Sequence, residues 1–191
     1  MFMSSTLPIF DPQGFLYTAL ARAHDEVVAL GSEVAVDFRP RATCAVGLVQ
    51  ERGADWAHIG HSRIYHIRDG QVLVRSRDHR HVEVLTQEGA ITEEEAQDHP
   101  MRNFVECCIG GDAPVPDMST TQNHMRRPGD VQRAWTAGLG PGLSAVDDGA
   151  ITEPGKNTIA DNLKALSIPA LTGNSPYSDN TTGAALRWLG D

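Results

Sequence analysis

The residues of this chain that could do chemistry are a group of histidines, one adjacent pair of cysteines and a few carboxylates. His58, His61 and His66 fall close together, and imidazoles so grouped can hold Zn²⁺ or Ni²⁺. Their spacing does not put all three on one face of a single strand, so ordinary hydrogen bonding at a strand end is the better reading of His61. Asp78-His79 has the composition of an acid–base pair. Cys107-Cys108 could supply a thiolate, but no base partner is identifiable. The flanking Val105 and Ile109 suggest a buried strand, where cysteine packs as a small apolar group. Ser178-Asp179-Asn180-Thr181-Thr182 is a turn-forming sequence ahead of an apolar run from Ala184 to Leu189. Glu93-Glu94-Glu95 is a solvated helix start that favours the helix dipole.

The elements that must position these groups are legible from pattern. Asp11-Pro12 is a helix start, with Asp as N-cap and Pro in the first turn. Apolar residues at helical spacing (Leu16, Ala19, Leu20, Ala23, Val27, Val28 and Leu30) carry that helix to Gly31. Arg41 to Val49 reads as a buried strand and Asp55 to Ile59 as the next. Arg63–Ile67 and Gln71–Arg75 flank Asp69-Gly70, a hairpin signal, because the tight turn needs positive φ. Neither face of this hairpin is strongly polar, so both are expected to be partly buried. The four strands in succession suggest an antiparallel meander. Val82, Val84 and Leu85 mark a short helix that Gly89 can cap, and Thr92 with Glu95 is a capping box for another that stops before Pro100. Gly110 to Asp130 is polar and rich in turn residues and reads as a loop. Pro128-Gly129-Asp130 leads into a strand from Val131, weakened by Gln132 and Arg133, and Thr158 to Leu166 is a weak amphipathic helix.

At 191 residues the chain is long enough for one domain with its own core. A net charge of −9 argues against non-specific nucleic-acid binding, which needs a basic footprint. No apolar run approaches the roughly 20 residues of a membrane span. The start, MFMSSTLPIF, does not read as a secretory signal. Three cysteines, two of them adjacent, make no disulfide framework, and a reduced cytoplasmic setting is the simplest expectation.

The order of motifs resembles one family, the metal-dependent type-2C (PPM) serine/threonine protein phosphatases of bacterial type. The motifs are Gly60-His61-Ser62-Arg63, Tyr65, Asp69-Gly70, Asp78-His79, Glu88-Gly89, Thr92-Glu93-Glu94-Glu95-Ala96 and Arg102-Asn103, then Pro128-Gly129-Asp130-Val131, Gly138-Leu139, Leu143-Ser144 and Asp179-Asn180-Thr181-Thr182. The best match covers residues 41–110, 128–145 and 175–189. The resemblance implies an α+β fold, a single domain over 1–191. Its core is an antiparallel β-sandwich flanked by helices in α-β-β-α layers. It also implies Mn²⁺ or Mg²⁺ as cofactor and phosphoserine or phosphothreonine proteins as partners, and it makes Asp78-His79 a structural feature after the hairpin, the reading preferred over an acid–base pair.

The resemblance also shows where the chain departs. His61 stands where the family usually has Asp, and Ala137 where it has a metal-binding Asp. The family's two N-terminal carboxylate motifs, which precede the helix placed at Pro12–Leu30, have no counterpart here, so the domain reads as lacking its first strands. Of the implied metal carboxylates only Asp179 remains. Two hard dications close together need several carboxylate oxygens, so an impaired phosphatase is expected. The alternative is a non-catalytic module that binds phosphoproteins, or a vestigial fragment. Uncovered sheet edges would favour self-association.

Overall fold

In the computed structural model, Asp11 accepts from the Gly14 amide at 2.9 Å and starts α1, Pro12–Leu30, which Gly31 ends as expected. The structure describes residues 8–50, 53–77, 79–102, 104–105, 107–112, 118–123, 127–135, 158–161, 163–164 and 182–190. After α1 come β1 (Arg41–Ala42), β2 (Cys44–Gln50), β3 (Gly53–Ile59), β4 (Arg63–Arg68) and β5 (Gln71–Arg75). Helices α2 (His81–Gln87) and α3 (Glu93–Asp98) follow, then β6 (Ile109–Gly110), β7 (Ser119–Asn123), β8 (Val131–Trp135) and β9 (Gly183–Arg187). The Thr92–Glu95 capping box forms in both directions, with bonds of 2.7 and 3.2 Å. The carboxyl of Glu95 is lowered because the Thr92 backbone N–H, and then its hydroxyl, donate to the ionised form.

The strands form two main antiparallel sheets, β2-β3-β7 and β5-β4-β8-β9, with β1 and β6 as a small pair at the side. Alternation along the strands sorts the layers. Leu48, Ala57 and Ile59 pack beneath Leu16 and Leu20 of α1. Each of these leucine and isoleucine side chains taken out of water contributes about 1.5–3 kcal/mol. Tyr65 and Ile67 of β4 and Val131 and Trp135 of β8 form a second cluster, covered by Ile159 and Leu163 of a short helical stretch described at residues 159–161 and 163–164. Thr158 and Asp161 cap this stretch with bonds of 3.0 and 3.2 Å. The remaining faces of the sheets meet, with β2 against β8 and β3 against β4. This is the α-β-β-α sandwich implied by the motif order.

Four expectations need correction. The strands from β2 to β5 are not one meander: β3 pairs with β2 and β7, whereas β4 pairs with β5 and β8. The chain changes sheets at Gly60, which takes φ +78°. The stretch from Arg41 to Val49 is two strands, since β1 pairs with β6 and β2 with β3. The supposed loop from Gly110 to Asp130 contains β7, whose polar residues suit a sheet edge. Cys107 and Cys108 are half-buried but precede the strand β6 and do not lie within one. The Asp69-Gly70 turn forms as read, with φ +48° and +77°, and β4 is buried on both faces, but β5 is exposed along its length, so the expected partial burial holds for one strand of the hairpin and not the other.

Candidate active site

Three strand ends meet at one end of the four-stranded sheet. Arg63, the first residue of β4, lies opposite Trp135, the last of β8, and Trp135 lies opposite Gly183, the first of β9. The Gly60–Ser62 corner enters this end. In sequence, Ala137 follows β8 by two residues and Asp179 precedes β9 by four. Both of those residues, with Asn180, Gly138-Leu139 and Leu143-Ser144, lie outside the described residues, as do Asp78 and Asn103.

The corner itself is tightly held. Gly60 is buried, its amide donates to Nδ1 of His79 at 3.1 Å, and its carbonyl accepts from the His79 amide at 3.4 Å. A Cβ on Gly60 would come within 2.6 Å of the Thr43 methyl and 2.8 Å of the Cys107 carbonyl, so both space and φ demand glycine. Ser62 is fully buried and donates to the Thr43 hydroxyl at 2.9 Å. His79, read from sequence as half of an acid–base pair or a structural feature, is therefore a brace for this corner. Its Nδ1 accepts, so that nitrogen carries no proton here.

The histidines do not assemble into a metal centre. His58 is buried, stacks on His79 at 4.7 Å and donates through Nε2 to the Arg77 carbonyl. His66 instead engages Asp130, and His61 sits half-buried at the corner. Among the described residues no group of three or more His, Cys, Asp or Glu side chains could hold a metal ion. Burial pushes the thiols of Cys44 and Cys108 up, which makes both poor nucleophiles at neutral pH.

The tightest polar cluster lies at the far end of β4 and was not singled out in the sequence. Asp130 accepts from Nε and Nη2 of Arg68 at 2.7 and 2.8 Å, from the Arg127 amide at 2.8 Å and from Nε2 of His66 at 3.0 Å. Its backbone carbonyl accepts from the Trp188 amide at 2.8 Å. Asp130 thus ties the turn before β8 to the hairpin through its carboxylate and to the end of β9 through its carbonyl. Burial opposes its charge, yet Arg68, the Arg127 amide and His66 together hold the carboxyl down at about 2. The signal available in sequence was Pro128-Gly129-Asp130 facing an arginine at the hairpin end. Arg133 was read as weakening β8, but it is fully buried, its guanidinium 3.7 Å from the Trp135 ring centroid and 5.3 Å from that of Tyr65. The two rings give the buried charge cation–π contacts.

The described donors at the strand-end site do not fit a pair of hard dications. They are an imidazole and a hydroxyl already committed to Thr43, with no carboxylate among them.

No family model matches the chain. It is 38% identical over 119 residues to a Streptococcus pyogenes protein described as protein phosphatase 2C-type, covering 61% of this chain and 46% of that one. It is 28% identical over 165 residues to the serine/threonine protein phosphatase PstP of Mycobacterium tuberculosis, covering 86% of this chain and 31% of PstP. The chain thus spans less than half the length of these curated relatives. Among solved structures it resembles the serine/threonine phosphatase Stp1 of Staphylococcus aureus at TM-score 0.78 and 26% identity, over 99% of this chain and 73% of Stp1. It also resembles the catalytic domain of PstP in complex with two manganese ions, at TM-score 0.73 and 25% identity, over 94% of this chain and 73% of that domain. The motif order, the two-sheet sandwich and these likenesses agree: the chain is similar in sequence and in fold to the PP2C-type (PPM) serine/threonine phosphatases.

Proposed function

We propose that this chain is a PPM-type phosphatase homologue, one domain over 1–191, whose own hydrolytic power on phosphoserine and phosphothreonine proteins is slight or absent. The observation that carries the reading is the donor set at the strand-end site. In the sequence Ala137, two residues after β8, occupies the position where the family has a carboxylate, and the described Gly60–Ser62 corner offers none. In the family the dications polarise the phosphoryl group and supply the attacking hydroxide. Here Asp179 is the residue proposed to face a metal. One carboxylate leaves most of the charge of two Mn²⁺ or Mg²⁺ ions uncompensated. The function left to such a chain is binding, with phosphoproteins as the family's class of partner.

The proposed setting is cytoplasmic. Among the described residues no helix is long and apolar enough to cross a membrane. Self-association through open sheet edges is part of the same proposal.

Mn²⁺ binding tests the reading. Calorimetric titration of the folded chain is expected to show at most one weak site, removed by Asp179→Ala. Two tight Mn²⁺ ions per chain would overturn it.

A further inference from the structure

Asp69 is the one non-glycine among the described residues with positive φ, at +48°, and Gly70 follows at +77°. A two-residue loop closed by the Arg68–Gln71 pair needs both values. An L-residue holds that conformation at a cost, which Asp bears better than most. Asp69 is exposed, so water reaches its carboxyl. The next residue, Gly70, has no Cβ to shield the peptide nitrogen that adjoins that carboxyl.

We propose that Asp69 is a site of spontaneous isomerisation, in which the Gly70 amide nitrogen attacks Cγ of the protonated Asp69 carboxyl. A C–N bond forms, the carboxyl hydroxyl leaves with the amide proton as one water, and a five-membered succinimide results. A second water opens the ring. Opening at Cγ restores Asp69. Opening at the main-chain carbonyl leaves an isoaspartyl residue, whose peptide bond to Gly70 runs through Cγ. Water is the only co-reactant, nothing is oxidised or reduced, and the mass is unchanged. The product carries one more methylene in the loop main chain and no longer meets the dihedral angles of a two-residue turn. Arg68 directly precedes the turn, and its Nε and Nη2 reach Asp130 at 2.7 and 2.8 Å, the short range of charge-assisted bonds. A displaced loop lengthens both bonds. Isomerisation at this exposed position therefore loosens the buried Asp130 cluster, and the hairpin acts as a slow chemical clock on the four-stranded sheet.

The test follows the full chain at neutral pH and body temperature in heavy-oxygen water. Incubation lasts until the free peptide Ile67–Leu73, followed in parallel, is half converted. Digestion and mass spectrometry are expected to find an isoaspartyl peptide at position 69 that carries one heavy oxygen. Asp69→Glu, whose longer side chain closes a ring far more slowly, is expected to show none there. Asp148-Gly149, the other Asp-Gly step in the sequence, lies outside the described residues and falls in a separate peptide. The isomerised chain, separated by ion exchange, is expected to melt below its parent at neutral pH. The same modification in Asp130→Asn is expected to lower Tm by less. A folded chain without isoaspartate at position 69 when the peptide is half converted overturns the proposal. An isomerised chain that melts with its parent, or a Tm drop equally large in Asp130→Asn, overturns the link to Asp130.

Discussion

Replacing Asp130 by Asn should cost stability in a pH-dependent way. The side chain is 3% exposed and accepts four hydrogen bonds, three of them from Arg68 and His66. Its carboxyl falls from 3.8 to about 2 on folding. A depressed folded-state value stabilises above the unfolded-state value and is lost as pH falls through the folded one. The drop corresponds to about 2 kcal/mol at neutral pH, of which about 1 kcal/mol is gone by pH 3. Urea unfolding of wild type and Asp130→Asn should therefore differ by about 2 kcal/mol at pH 7. That corresponds to about 4–8 °C in Tm for a domain of this size. The gap should close to about 1 kcal/mol at pH 3. Asp130→Ala, which also leaves the Arg68 head without its carboxylate, should cost roughly 3–5 kcal/mol at pH 7. A gap between wild type and the Asn variant that is constant with pH, or widens in acid, would refute the assignment of Asp130 as a charged hub.

Two further substitutions probe the scaffold. Gly60→Ala should lower stability by roughly 1–3 kcal/mol, since it combines positive φ with a contact on the Cys107 carbonyl, and thermal unfolding reads this directly. His24 of α1 is buried and its Nδ1 accepts from the Gly110 amide at 3.1 Å. His24→Leu should therefore cost about 1–3 kcal/mol by stranding that amide, and hydrogen exchange at Gly110 should speed up in the variant. An unchanged exchange rate there would count against the contact.

Much of this architecture is written in local signals. Asp11-Pro12, Asp69-Gly70 and the Thr92–Glu95 box each act within a few residues, and each marks its element where the structure has it. The exchange of sheets at Gly60 is different in kind. Whether β4 continues beside β3 or crosses to β8 depends on residues some seventy positions away, and nothing near Gly60 encodes that choice. The same holds for Asp130. Its partners Arg68 and His66 become neighbours only when β8 pairs with β4, so a buried ion cluster looked like a turn. His24 drew no reading and Arg133 read as a weakness of β8, because polar residues on apolar faces look like blemishes until their partners are known. At the candidate site, the departure at Ala137 was visible as a change of residue type within a matched motif, while the brace supplied by His79 is a product of the fold.

The central claim is that the family fold persists here without the family's metal chemistry. The direct test is hydrolysis of p-nitrophenyl phosphate by the folded chain, with and without about millimolar Mn²⁺, a concentration suited to weak divalent sites, beside Asp179→Ala. No Mn²⁺-dependent turnover above the blank is predicted for either protein. Mn²⁺-dependent turnover by the wild-type chain that Asp179→Ala abolishes would contradict the account and establish a working metal site.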